Sequence, residues 1–190
     1  MLYPFSALLA RMKYITRWSL MHSTRAESLS EHTCDTALLA HMLCLIARRY
    51  TGTPCRPKTV AVAALYHDAS EILTGDLPTP IKYYNPDIKT AYKEVERIAG
   101  NRLLDMLPAE LRSSYTHYVL EDDAELEPFV KAADKLSAHI KCLEEQKAGN
   151  TEFDSAALQT LDALKAMNSP ELEWFLNNCL QAFTLNLDQL

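Results

Sequence analysis

The segment Tyr66-His67-Asp68-Ala69-Ser70-Glu71-Ile72-Leu73-Thr74-Gly75-Asp76-Leu77-Pro78-Thr79-Pro80 carries an adjacent His-Asp pair, a glutamate one helical turn after the histidine, and a second aspartate just past a Thr-Gly break. The run before it, Val60-Ala61-Val62-Ala63-Ala64-Leu65, is apolar all round. It reads as a buried helix that begins near Lys58 and ends around Ile72 or Leu73. Uncompensated charge emerging from such a helix is expensive, and a bound cation would compensate it. Neighbouring helical residues lie about 100° apart, so His67 and Asp68 can both turn toward one ion at the helix C-terminus, where the dipole favours positive charge. Residues 74–86 hold three prolines and a glycine and are expected to form no regular helix, only a loop on a rigid helical scaffold.

Outward from this segment the periodicity is helical on both sides. Phe5, Leu8, Leu9, Met12 and Ile15 make an i, i+3, i+4, i+7 stripe over residues 4–15. A connector over 16–22 lacks that period and holds Arg17 beside Trp18; taken alone, these read as a solvated charge and a core plug. Ser28 or Ser30 can cap a helix reaching about Arg49, with Glu31 in its first turn and Leu38, Leu39, Met42, Leu45 and Ile46 as its apolar face. His32, in the first turn, is by itself an ordinary structural histidine. Ile88, Tyr92, Val95, Ile98 and Leu103 mark a long helix to about Leu107, and Pro108 opens a shorter one to about Val119. The acidic stretch 121–125 reads as a solvated helix start. Residues 128–143 carry an apolar face of Phe129, Val130, Ala133, Leu136, Ile140 and Leu143, with Asp134 beside it as a natural partner for Lys131 or Lys135. Two further helices are expected near 151–167 and 170–185, with no internal repeat or linker.

A chain of 190 residues suffices for one well-filled core, so a single domain spanning 1–190 is expected. Only 4 glycines, together with long periodic runs, make that domain all-α. A net charge of −6 argues against polymeric nucleic acid or an anionic membrane as partner, since both demand an extended basic surface; a small anion at one local site remains compatible. Cys34, Cys44, Cys55, Cys142 and Cys179 are odd in number and include no CxxC pair. They read as free thiols acting as small core residues. With no leader-like N-terminus and no apolar run of spanning length, a reducing cytoplasm is the expected compartment.

His32, His67, Asp68 and Asp134 form an ordered set, H…HD…D, on three helices. Two imidazoles and two carboxylates suit Zn²⁺, Mn²⁺, Co²⁺, Ni²⁺ or Fe²⁺ better than Ca²⁺ or Mg²⁺. An ion accepting five or six ligands would keep room for water and substrate beside these four.

This set resembles the HD-domain superfamily of metal-dependent phosphohydrolases. More closely, Arg17-Trp18, Ser30-Glu31-His32, His67-Asp68-Ala69-Ser70-Glu71, Thr74-Gly75-Asp76-Leu77-Pro78-Thr79-Pro80, Lys82-Tyr83 and Ala132-Ala133-Asp134 resemble the YfbR-like family of bacterial 5′-deoxynucleotidases over nearly the whole chain. The resemblance implies an all-α HD-domain bundle, a homodimer, and hydrolysis of deoxyribonucleoside 5′-monophosphates to deoxynucleoside and phosphate by a metal-activated water. It implies one divalent transition metal ion on His32, His67, Asp68 and Asp134, Arg17 on the phosphate and Trp18 against the sugar. Glu71 and Asp76 would serve proton transfer and substrate positioning, with Thr79, Pro80 and Lys82 in the matching loop. His22, His117 and His139 do not fall where two-metal relatives carry extra histidines, which favours one ion. Alternatives are another HD phosphohydrolase, acting on a ribonucleotide, an alarmone or a cyclic dinucleotide, and an inactive nucleotide-binding HD module. Retention of Glu71 and Asp76 argues against the last.

Overall fold

A computed structural model describes residues 2–82 and 84–190; the side chain of Thr79, and Tyr83 altogether, lie outside the described residues. Helix α1 (Phe5–Leu9) tightens into a 3-10 helix over Ala10–Tyr14, and the chain then crosses an irregular connector to α2 (Leu29–Ile46). Of the two candidate caps for α2, the structure uses Ser28. Its hydroxyl accepts from the Glu31 amide (3.2 Å) while its own amide donates to Glu31 Oε2 (2.8 Å), a reciprocal capping box. A π-helical turn, Ala47–Thr51, closes α2 and is ended by Gly52 at φ 75°, a left-handed conformation that glycine adopts without steric cost.

Helix α3 (Pro57–Tyr66) and α8 (Glu127–Lys147) pack on α2 to make the main core, with Ala37, Ala40, Leu43, Cys44, Ile46, Val60, Ala63, Ala64, Val130, Ala133 and Leu136 among its buried residues. The face expected for α2 is corrected here, because Leu38, Met42 and Leu45 are exposed. At about 100° per residue they lie on the side away from His32, whereas Thr36, Ala40, Leu43 and Ala47 share its face. Placing His32 inward fixes the rotation of the helix, and the small residues on that face let its neighbours approach. The run 60–65 is likewise not buried all round, since Val62 and Leu65 are exposed.

α3 also stops earlier than expected. After Tyr66 the chain turns through residues 67–70 before the single turn α4 (Glu71–Thr74). His67 Nδ1 lies 2.7 Å from the Ala64 carbonyl, the acceptor that the Asp68 amide would use in a continued helix, so the side chain competes with the helix at that point. Gly75, at φ 76°, ends α4.

The expectation of no regular helix between 74 and 86 is corrected too. One turn, α5 (Thr79–Lys82), forms there, and Pro86 opens α6 (Pro86–Leu104), capped by Asn85, whose side chain accepts from the Ile88 amide (2.8 Å). Proline in a first turn starts a helix instead of breaking one. On α6 Val95 and Ile98 are exposed and Ala99, Gly100, Leu103 and Leu104 are buried. α7 (Ala109–Val119) follows, and Phe5, Ala69, Leu103, Leu104, Leu107 and Val119 form a second core behind the His-Asp turn. α9 (Asp154–Ala166) packs on α8, and α10 (Pro170–Asn178) on α2.

The architecture is all-α: among the described residues there is no strand, only an antiparallel bridge between Thr16 and Ser28. All five cysteines are free, but Cys34 is exposed and does not serve as a core residue. No described helix is long and apolar enough to cross a membrane.

Candidate active site

His32 reaches the site from the first turn of α2, His67 and Asp68 from the turn after α3, and Asp134 from the second turn of α8. His32 Nε2 lies 3.1 Å from Asp134 Oδ1 and 3.6 Å from Asp68 Oδ2. His67 Nε2 lies 3.1 Å from Asp68 Oδ2 and 3.9 Å from Asp134 Oδ1. Both Nε2 atoms are buried without a hydrogen-bond partner, an arrangement that needs a reason.

A cation held here would supply that reason. Ligands bound at about 2.1 Å sit roughly 3 to 4 Å apart around an ion, the range of the four His–Asp distances above, and the donor atoms of His32, His67 and Asp68 all lie within 4.8 Å of one another, with Asp134 reaching that group from α8 through its approach to His32. The outer nitrogens agree. The Ala64 carbonyl can only accept, so His67 keeps a proton on Nδ1, and Nε2 is the nitrogen that a metal would take. His32 Nδ1 lies 3.1 Å from Ser137 Oγ, which accepts in the same way when Nε2 binds a metal. The electrostatics also call for positive charge. Burial pulls the His67 imidazole down, but Asp68 and Asp134 outweigh it and push it up to about 10. Burial would raise Asp68, yet His67, His32 and Arg17 hold it well below the usual carboxylate range. Glu71, buried and with Oε2 unpartnered, is pushed up to about 9 by burial first and then by Asp68 and Asp76.

Arg17 stands at this site, although alone it reads as a surface charge, whereas Trp18 packs on the Cys142, Phe153 and Ala157 cluster as a core plug does and is joined to Arg17 through Glu27. Arg17 Nη1 is 3.6 Å from Asp68 Oδ2, and its Nε is 3.3 Å from Glu27 Oε2. Trp18, at φ 58°, donates from its indole to Glu27 Oε2 (3.0 Å) and packs on Phe153 with ring centroids 5.3 Å apart. Asp76 is half-buried, and its charge acts on Arg17 and Glu71. Lys82 is tied to Glu96 (2.7 Å) and stands over the Tyr92 ring, so it reaches Glu71 and Asp76 through its field only. Pro80 is exposed on α5. Asp134 pairs with His32, not with Lys131, which pairs with Glu127.

Three residues at or beside the site carried no signal in the sequence reading. Ser137 is three residues past Asp134 on one helix face, a spacing that could have pointed to it. Glu27 is an isolated acid in an aperiodic connector. Glu121 lies in the stretch taken as a solvated helix start; it is exposed, but α8 begins later, at Glu127, and Glu121, at φ 51°, is among the charges that raise the His67 pKa.

A helical bundle that holds an H…HD…D set in this geometry defines an HD-domain phosphohydrolase. Two solved structures share the fold. An HD-domain phosphohydrolase from Listeria innocua matches with a TM-score of 0.81 at 20% identity, covering 96% of this chain and 89% of that one. The cyanophage S-2L HD phosphohydrolase DatZ, bound to dA and one catalytic Zn²⁺, matches at 0.68 and 19%, covering 93% and 96%. Within that class the chain belongs to the 5′-deoxynucleotidase YfbR-like family, whose sequence model matches residues 4–183. A 5′-deoxynucleotidase of Vibrio atlanticus is 45% identical over 188 residues, 98% of this chain and 97% of its own. That of Shewanella oneidensis is 45% identical over 186 residues, 97% and 95%.

Proposed function

We propose that the chain hydrolyses deoxyribonucleoside 5′-monophosphates to deoxynucleoside and phosphate, with one divalent transition metal ion held by His32, His67, Asp68 and Asp134. The observation that carries this reading is the pair of buried, unpartnered imidazole nitrogens facing two carboxylates, with a guanidinium 3.6 Å from one of them. The names of the curated relatives support the substrate. When bound, the ion supplies Lewis acidity toward the phosphoryl group and acidifies a water near neutral pH.

The rest falls to the chain's own groups. Arg17 binds phosphoryl oxygens with the Nη groups that Glu27 leaves to it, one of which faces Asp68 at 3.6 Å, a task for which a guanidinium fork is suited. Glu71 and Asp76 hold and move protons, one of them toward the departing 5′ oxygen. Trp18 lies against the sugar and disfavours a 2′-hydroxyl, because a buried hydroxyl without a partner costs about 1–3 kcal/mol. Thr79, Pro80 and Lys82, on the turn α5, border the substrate. A homodimer in the cytoplasm and a single domain belong to the same reading; light scattering on the purified protein measures the first.

The test strips the protein of metal, restores Zn²⁺, Mn²⁺, Co²⁺, Ni²⁺ or Fe²⁺ one at a time, and follows phosphate release from a panel that includes dAMP and AMP. Release should depend on the metal and favour dAMP over AMP by about tenfold or more, the ratio that an unpaired hydroxyl implies. Glu71→Gln should keep its metal and lose more than about tenfold in kcat. Phosphate release from none of the deoxynucleotides with any ion would overturn the proposal.

A further inference from the structure

We infer that Glu27 is a positioning residue for this reaction, and that it sets sugar discrimination by holding the phosphate anchor and the sugar wall with one carboxylate. The inference rests on the roles proposed above for Arg17 and Trp18. Glu27 is buried, and its Oε2 accepts from both Arg17 Nε (3.3 Å) and Trp18 Nε1 (3.0 Å).

The backbone around it is built for this contact. The connector is pinched at its neck, where the Arg17 amide donates to the Glu27 carbonyl (3.0 Å) and the Leu29 amide to the Ile15 carbonyl (2.8 Å). Glu27 therefore lies directly across from Arg17. Its far side is fastened to α8 and to the turn after it: Glu145 accepts from the Thr24 amide and hydroxyl (2.8 Å each), and Asn150, just past the helix, donates to the His22 carbonyl (2.8 Å). Trp18 sits in the left-handed region at φ 58°, a conformation that a bulky residue keeps only where its surroundings over-determine it. Here the Glu27 carboxylate, the Phe153 ring and a bond from the Met21 amide to the Trp18 carbonyl (2.9 Å) do so.

Two chemical consequences follow from the shared carboxylate. An indole has a single donor, and Glu27 takes it, so every surface that Trp18 has left for a sugar is apolar. A 2′-hydroxyl placed there gives up water and receives nothing. On the arginine, Glu27 takes the Nε edge and leaves the Nη groups toward Asp68 and the phosphate position. Because both side chains hang on one atom, the distance between anchor and wall is fixed. Without Glu27 the indole N–H becomes available to a ribose hydroxyl and the ring can swing, so selectivity should fall along with affinity.

Two variants separate this from a scaffold role, each studied as holoenzyme with metal content, thermal unfolding and kcat/KM for dAMP and AMP measured together. Glu27→Ala removes the acceptor and should lower the dAMP:AMP ratio at least about tenfold with metal content unchanged. Glu27→Gln keeps a carbonyl acceptor for the indole but no charge for Arg17; it should hold the ratio within about threefold while KM rises for both substrates. The Trp18 indole N–H, protected from hydrogen exchange in wild type and Glu27→Gln, should exchange freely in Glu27→Ala. A wild-type ratio in Glu27→Ala, a parallel loss on both substrates in both variants, or an unchanged KM in Glu27→Gln overturns the inference, and the last applies even if the alanine variant does not fold. Wild-type enzyme without any preference for dAMP would instead sink the reading of the substrate and leave the exchange measurement to report on the contact.

Discussion

At the scale of single residues the site depends on which ring nitrogen is free. The Ala64 carbonyl fixes the matter for His67, because a backbone oxygen cannot donate. For His32 the partner is a hydroxyl, Ser137 Oγ at 3.1 Å, which holds the ring angle and accepts a hydrogen bond from Nδ1–H once Nε2 is committed. Ser137→Ala should therefore weaken metal binding by about 10- to 100-fold, the usual cost of losing such an outer hydrogen bond, with little change in thermal stability of the metal-free protein. Competition against a chromophoric chelator measures it, and wild-type affinity would show that Ser137 does not orient the ring. The convergence of His32, His67, Asp68 and Asp134 was legible in the sequence because they fall in order on segments that read as apolar helices, where unpaired charge is costly. Ser137 and Glu27 were not, since a serine on a helix and a glutamate in a connector have many cheap explanations until their partners, 105 and 10 residues away, are seen.

Among the elements, α2 bears the most constraint, for its first turn presents His32 while its length packs on α3, α8 and α10. Its N-terminus is held by the Ser28–Glu31 box, so Ser28→Ala should cost about 1 kcal/mol. In a chain of this size that is a fall of about 2–4 °C in Tm, readable by calorimetry; no change would mean that tertiary packing alone holds the turn. Helix positions were legible from periodicity, but rotations and breaks were not. Leu38, Met42 and Leu45 outrank Ala37, Ala40 and Ala47 in hydrophobicity, yet close approach of neighbouring helices selects the alanines for the inside. α3 reads as continuous through residue 72 because nothing in the sequence says that a histidine side chain will take the carbonyl its helix needs. The prolines at 80 and 86 mislead in the same way, since a breaker in the middle of a helix is a starter in its first turn.

For the molecule as a whole, the connector that bears Arg17 and Trp18 is fastened by a buried ion pair on α8. Lys141 and Glu145 are 5% and 1% exposed, and Lys141 also donates to the Arg25 carbonyl (2.7 Å). Burial would raise the Glu145 carboxyl, but bonds from Lys141, Asn150 and Thr24 depress it well below the usual carboxylate range. A depressed folded-state pKa adds stability that is complete above the unfolded value of about 4.3 and lost as pH falls below it. Glu145→Gln leaves Lys141 buried without its counter-charge, so at pH 7 it should be less stable than wild type by about 3 kcal/mol. That gap should narrow steadily from about pH 5 downward as wild type loses the same charge, a trend that urea titrations at several pH values would follow. A gap independent of pH would mean that packing, not charge, carries the contact. The spread of the ligands along the chain has a consequence for synthesis. A nascent polypeptide that has emerged through α7 already displays His32, His67 and Asp68, but Asp134, the fourth of the proposed ligands, is still to come. Helices that form early can cluster as they leave the ribosome, yet the full grip on an ion waits for α8 to dock, and binding that needs the folded ensemble stabilises only that ensemble. The same helix brings Glu145 to the connector. One late-emerging helix thus completes both the His-Asp cluster and the anchorage of the connector that bears Arg17 and Trp18.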